Sequence, residues 1–312
     1  MTRAILPLVP RRLTYLILTL AGAAALYLGV NAWRNSRTLS EMEMLRRLPT
    51  ADAVVFSLDF AQLRHTGLFD NLTGPKMIEE PDYQTFVRDT GFDYKRDLDL
   101  ALVSFTPSGT YFVVRGRFDW KKLEAYAKQS GGSCYNRLCH MQGSTPERRI
   151  SFLPLGRDVM GMAVTTDELA ASQLLHGGAQ RPVNPSVEPL WISIPNAALA
   201  RTANRLPPGT RIITSAMTSA NEVLFTLGAR GPNYQARLEA QCRSQQDASN
   251  LAGQLQALTG LLKAALDREK KKPDPNDLTG VLTAGTFRQS DKTVYGEWML
   301  QKSFLENLAR GM

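Results

Sequence analysis

VLFTLGARGPNYQARLEAQC, residues 223–242, contains two β-forming runs, Val223 to Leu227 and Tyr234 to Cys242. Between them Gly228-Ala-Arg-Gly-Pro232 supplies turn chemistry. In the second run Tyr234, Ala236, Leu238, Ala240 and Cys242 alternate with Gln235, Arg237, Glu239 and Gln241. Successive side chains of a strand point to opposite faces, so this strand has one apolar and one polar face. That pattern predicts an antiparallel sheet with one face covered and the other wet.

The pattern extends in both directions. Upstream, Leu190 to Ile194 reads as a strand, followed by Pro195, Asn196 and a short helix from Ala197 to Arg201. Downstream, Ser244 and Asp247 form a capping-box pattern before Leu251, Leu255, Leu258 and Leu262, and the helix ends at Lys270-Lys-Lys272 ahead of Pro273 and Pro275. Val281 to Phe287 and Val294 to Met299 then read as strands around Ser290-Asp291, with Ser303 to Ala309 helical behind them.

The same order occurs once before. Ala53 to Leu58 is a strand, Asp59 a cap and Phe60 to Arg64 a helix. Leu100 to Phe105 and Tyr111 to Phe118 flank Thr106-Pro-Ser-Gly109, and Asp119 caps Trp120 to Gln129. Ile150 to Leu155 and Val159 to Val164 surround Gly156-Arg-Asp158, with Glu168 to Leu175 behind. The expected fold is α+β: two degenerate repeats, residues 49–180 and 190–312, each an antiparallel sheet with helices packed on one face. Residues 181–189 are the linker, inside the turn-rich stretch Gly177 to Pro189.

Leu13 to Ala32, LTYLILTLAGAAALYLGVNA, carries no charge over twenty residues, enough at helical rise to cross a hydrocarbon core of about 30 Å. Arg11 and Arg12 bound it on one side, Trp33 and Arg34 on the other. The expectation is a cytoplasmic tail at 1–12, a transmembrane helix at 13–32 and a connector at 33–48. The main domain then stands on the extracytoplasmic, periplasmic side. A signal peptide cut after Ala32 is the alternative, although the apolar run is longer than the usual signal core.

With 37 Lys+Arg against 29 Asp+Glu in 312 residues the net charge is +8, and 21% charged residues is an ordinary globular value, which excludes disorder and collagen. The basic surplus suits anionic lipid or an envelope polymer. No Arg-rich helix or aromatic-basic motif supports nucleic-acid binding. Three cysteines are too few for a disulfide-dense scaffold, and three histidines leave little for a metal enzyme.

Two clusters are candidate sites. Cys134 and Cys139, followed by His140, lie in a predicted loop after Gly131-Gly132, and the simplest reading is a structural disulfide. Unpaired thiols, or a haem or zinc site, are the alternatives. Asp93, Asp97 and Asp99, with Lys95 and Arg96, form a charged knot that is a possible polar site or else a solvated lead-in to the strand at Leu100. Cys242, on the apolar strand face, is expected to be a buried free thiol. No Gly-x-Ser-x-Gly elbow, Walker loop, dinucleotide fingerprint or His-Glu-x-x-His occurs, so neither a cofactor nor an enzyme activity is expected.

Leu48-Pro-Thr-Ala-Asp-Ala-Val-Val55 resembles the opening of uncharacterised bacterial single-pass envelope proteins, whose ectodomain starts with a Pro-x-x-Asp-Ala-Val strand. Gly91-Phe-Asp-Tyr94, Asp97-Leu-Asp99 and Leu282 to Phe287 look like further signatures of that class. The resemblance implies an envelope location and transfers no catalytic residue. The functional expectation is a membrane-anchored, non-enzymatic extracytoplasmic binding or scaffold protein. Its partners would be membrane lipid through residues 13–32 and an envelope protein or polymer. The alternatives are a sensor domain with its ligand between the two units, or a redox protein using the Cys134/Cys139 loop.

Overall fold

The computed structural model describes residues 38–69, 81–145, 147–202 and 216–309. Helix α1 (Glu41–Leu45) is the first described element, and its N-terminus carries a capping box in which Ser40 and Glu43 exchange bonds. Then come β1 (Val54–Asp59), α2 (Phe60–His65), α3 (Pro81–Thr90), α4 (Tyr94–Asp97), β2 (Leu98–Thr106), β3 (Gly109–Gly116) and α5 (Trp120–Gln129). Strands β4 (Ser133–Tyr135), β5 (Leu138–Gln142), β6 (Arg149–Pro154) and β7 (Val159–Thr165) precede a 3₁₀ helix (Ala170–Leu175). The second half holds β8 (Leu190–Pro195), α6 (Asn196–Thr202), β9 (Ala220–Arg230), β10 (Asn233–Cys242) and α7 (Gln245–Arg268). It ends with α8 (Leu278–Ala284), β11 (Thr286–Ser290), β12 (Thr293–Leu300) and α9 (Lys302–Ala309).

The described strands form one antiparallel sheet of twelve, ordered β11-β12-β10-β9-β8-β1-β2-β3-β7-β6-β5-β4. The sheets expected of the two repeats are therefore joined into one. The halves meet where β1 pairs with β8, Val55 opposite Ser193 and Leu58 opposite Leu190. Outward from that seam the order is β1-β2-β3-β7-β6 on one side, extended by the hairpin β5-β4, and β8-β9-β10-β12-β11 on the other. An isolated half would leave β1 or β8 as an exposed apolar edge, and pairing the two removes both edges.

The membrane-helix part of the fold expectation is also corrected. Among the described residues no helix is long and apolar enough to cross a membrane. The longest described helix, α7, spans 24 residues and buries only Ala248, Leu251, Ala252 and Leu255, so it is amphipathic. Residues 13–32 lie outside the described residues.

Helices were expected on one face only, and the structure differs here as well. On the first face α2, α8 and α9 pack over Ala101, Val114, Leu227 and Ala236. Helix α7 covers Val223, Leu238 and Val294 on that face, and α5 covers Phe152. On the opposite face a second core fills only the N-terminal half. There Met44, Leu45 and Leu48 from the α1 region and Ala170, Ala171 and Leu174 of the 3₁₀ helix close over Val55, Leu100, Leu102 and Val113. Trp191 on β8, 1% exposed, marks where this second core ends. Strand β2 is accordingly buried on both faces through its middle, whereas β10 alternates strictly.

A local misreading falls at residues 281–287. The apolar run suggested a strand, but Asp277 caps a helix by accepting a bond from the Gly280 N–H at 2.7 Å, so Leu278 to Ala284 are helical. Only from Thr286 does the strand begin. Short apolar runs carry no period that separates buried helix from buried strand.

Candidate functional site

The opposite face of the C-terminal half carries no helix among the described residues. Register places Thr226, Arg237 and Glu297 in one row across β9, β10 and β12, and Leu224, Glu239 and Tyr295 in the next. Arg288 on β11 stands opposite Tyr295 and lays its guanidinium over that ring, 4.4 Å from the centroid. Gln235 Nε2 donates to Glu297 Oε2 at 3.4 Å. Polar residues at every second position, predicted from the alternation in β10, produce this face.

The linker borders it as a strap. Arg181 is the pin: its Nη1 donates to Glu222 Oε1 at 2.7 Å and its Nη2 to Ser193 Oγ at 2.6 Å, while Thr50 Oγ1 accepts from the Arg181 N–H. Arg181 Nε is buried without a hydrogen-bond partner. Further along, Glu188 reaches back onto the sheet, meeting Arg230 Nη2 at 2.5 Å and Arg237 Nη1 at 3.8 Å. Gly228 makes this possible, because a Cβ at that position would collide with the Glu188 carboxylate.

Between strap and sheet runs an open groove of about 370 Å³, floored by Thr226, Arg237 and Tyr295 and walled by Ser186 to Glu188. On the other side of the strap a smaller recess of about 290 Å³ holds Glu41, Ser57 and Asp59. Burial pushes the Glu41 carboxyl above its usual range, against the opposing effect of the Trp191 indole N–H, which donates to it at 3.3 Å. Val187, between the two hollows, is 90% exposed. The groove thus lies on one half beside the strap rather than between two separate units, because the halves share a sheet.

Cys134 and Cys139 are disulfide-bonded. They face each other across the hairpin β4–β5, not in a loop, with Asn136 and Arg137 both at positive φ in its turn. That two-residue turn matches the twist of the strands it joins. Cys139 is fully buried against α5, through Leu123 and Ala127. Cys242 is a buried free thiol whose pKa is raised by that burial.

The aspartate knot is internally satisfied. Asp93 caps α4 and accepts from the Lys95 N–H and from Tyr83 Oη. Asp97 accepts from Arg96 Nη2 at 2.7 Å, Arg117 Nε at 3.2 Å and the Asp93 N–H at 3.0 Å. The Arg96 bond, the largest cause, takes its pKa down to about 2. Asp99 pairs with Arg64 at 3.0 Å. These carboxylates face their own arginines and backbone, an arrangement that fixes α4 against β2. Among the described residues no group of three or more His, Cys, Asp or Glu could hold a metal ion.

One constellation escaped the sequence reading. Ser133 Oγ lies 2.8 Å from His140 Nε2, and His140 Nδ1 lies 3.7 Å from Glu168 Oε2. Register makes Ser133 and His140 cross-strand partners, and the turn after β7 brings in Glu168. The signal was present as Gly131-Gly132-Ser133 seven residues before a histidine, but its meaning depends on the hairpin register.

No family model and no curated protein matches the sequence. Solved structures do resemble the fold. Crystal form I of TP0453 superposes with a TM-score of 0.50 at 10% identity, over 88% of this chain and 98% of that one. Crystal form III of TP0453 gives 0.50 and 10%, over 88% and 99%. At such identity the likeness is one of fold.

Proposed function

We propose that this chain is an extracytoplasmic binding domain of the cell envelope, and that the uncovered face of its C-terminal half docks a partner protein. The observation that carries the reading is the asymmetry of one sheet. The same face is a sealed core in the N-terminal half and a row of arginines, glutamates and a tyrosine in the other. The Cys134–Cys139 disulfide supports an oxidising compartment. Alternating charge in rows, Arg237 beside Glu239 and Glu297, suits a partner surface of complementary mixed charge, which confers register and specificity more than raw affinity.

The test is site-specific photo-crosslinking in intact envelopes, with the crosslinker replacing Tyr295 on the bare face or Lys263 on α7. A discrete protein adduct at Tyr295 that is lost in high salt, with none at Lys263, is expected. No adduct, or equal adducts at both sites, overturns the proposal.

A further inference from the structure

The edge of the sheet farthest from the groove carries a second arrangement, independent of the binding face. We propose that Ser133, His140 and Glu168 form a nucleophile, general base and orienting carboxylate that hydrolyse carboxylic esters with an apolar acyl group.

Each part has a structural cause. Gly131 at φ +76° and Gly132, whose Cβ would collide with the His140 and Ala127 carbonyl oxygens, turn the chain from α5 into β4 and set Ser133 directly opposite His140. The disulfide one residue along locks that register, so the 2.8 Å contact between Ser133 Oγ and His140 Nε2 is built on a cross-linked hairpin. Glu168 Oε2 lies 3.7 Å from Nδ1, and closing that gap to a hydrogen bond would hold the proton on Nδ1 and leave Nε2 to accept from the serine hydroxyl. A hydroxyl hydrogen-bonded to an imidazole with a carboxylate on its far side is the arrangement used for acyl transfer.

The oxyanion donor would be the Cys134 N–H. Tyr135 and Leu138 close the two-residue turn, so Cys134 occupies the next, non-hydrogen-bonded position and its N–H points away from β5. β4 is the last described strand of the sheet, so that N–H, of the residue following the nucleophile, has no further described strand to pair with and is the oxyanion donor of this proposal. Tyr135, 79% exposed, and Leu138 share the Ser133 and His140 face and offer apolar surface for an acyl chain.

The chemistry balances with water as the only co-reactant. Ser133 Oγ attacks the ester carbonyl as its proton passes to His140 Nε2, and the tetrahedral oxyanion collapses, expelling the alcohol, which takes that proton. Water, deprotonated by His140, then attacks the acyl-serine, and the acid leaves as Ser133 regains its proton. His140 is catalytic, and Glu168, acting through it, is a positioning residue.

The experiment treats the full, non-reduced chain with a fluorophosphonate probe, maps the adduct by peptide mass, and measures p-nitrophenyl butyrate hydrolysis. Expected are a single adduct on Ser133, background hydrolysis in Ser133→Ala, and a loss of about 100-fold in His140→Gln. Glu168→Gln should lower kcat while leaving KM and the fluorophosphonate adduct on Ser133 in place, and Glu168→Asp should restore part of kcat. Ser133 is exposed, so its alanine variant should keep the parent melting temperature. The absence of a Ser133 adduct, or hydrolysis unchanged in Ser133→Ala, overturns the proposal.

Discussion

The two halves of the sheet share a strand order and differ in what lies on one face. In the N-terminal half that face presents Val55, Leu100, Leu102 and Val113, and α1 with the 3₁₀ helix seals it. In the C-terminal half the equivalent strands present Thr226, Arg237, Glu239 and Glu297, beside the strap and with no helix over them among the described residues. Strand connectivity therefore does not determine layering. A helix packs where the face offers apolar area, at roughly 25 cal/mol per Å² buried, and polar rows would lose water without that return.

The comparison can be broken most sharply at the seam. Trp191→Ala opens the end of the second core, and a loss of about 3–5 kcal/mol in urea unfolding is expected. Met44→Ala should cost about 2–5 kcal/mol, because Met44 is fully buried although its helix has only five residues. On the bare half Glu239→Ala and Arg288→Ala, both at exposed positions, should each stay within about 0.5 kcal/mol. Equal losses in the two halves would mean that the C-terminal face is also packed in solution.

The stapled hairpin gives a smaller effect. Replacing both Cys134 and Cys139 by serine should lower stability by about 2 kcal/mol, since the closed loop is short. The aspartate knot gives a pH signature in the same half. The folded Asp97 carboxyl titrates near 2, below its ordinary 3.8, so its stabilisation is complete above about pH 4 and is lost as pH falls through 2. Asp97→Asn should cost about 1–3 kcal/mol at pH 7 and flatten acid unfolding between pH 4 and 2.

Glu41 sharpens the comparison from the opposite sign. Its raised pKa means the folded state prefers the neutral acid, so stability is fullest below about pH 4.5 and declines as pH rises through the folded value. Glu41→Gln should therefore raise the melting temperature slightly at pH 7, with the Trp191 contact retained. A drop would show that the carboxylate charge itself holds the indole.

Strand-period alternation in residues 234–242 was enough to predict an antiparallel sheet with a wet face, and Cys134 and Cys139 five residues apart were enough to suggest their bond. Those features are local: a period of two and a short loop act within one or two elements. The single sheet, the double-sided core over β2 and the strap were not legible, because they depend on β1 finding β8 more than 130 residues away. Val55 and Val223 look alike in sequence, and only the segments folded over them distinguish which face each covers. The Ser133–His140–Glu168 cluster was hidden for the same reason. Residue types and spacing along the chain are properties of the sequence, whereas which hydroxyl meets which imidazole is decided by strand register and the turn after β7.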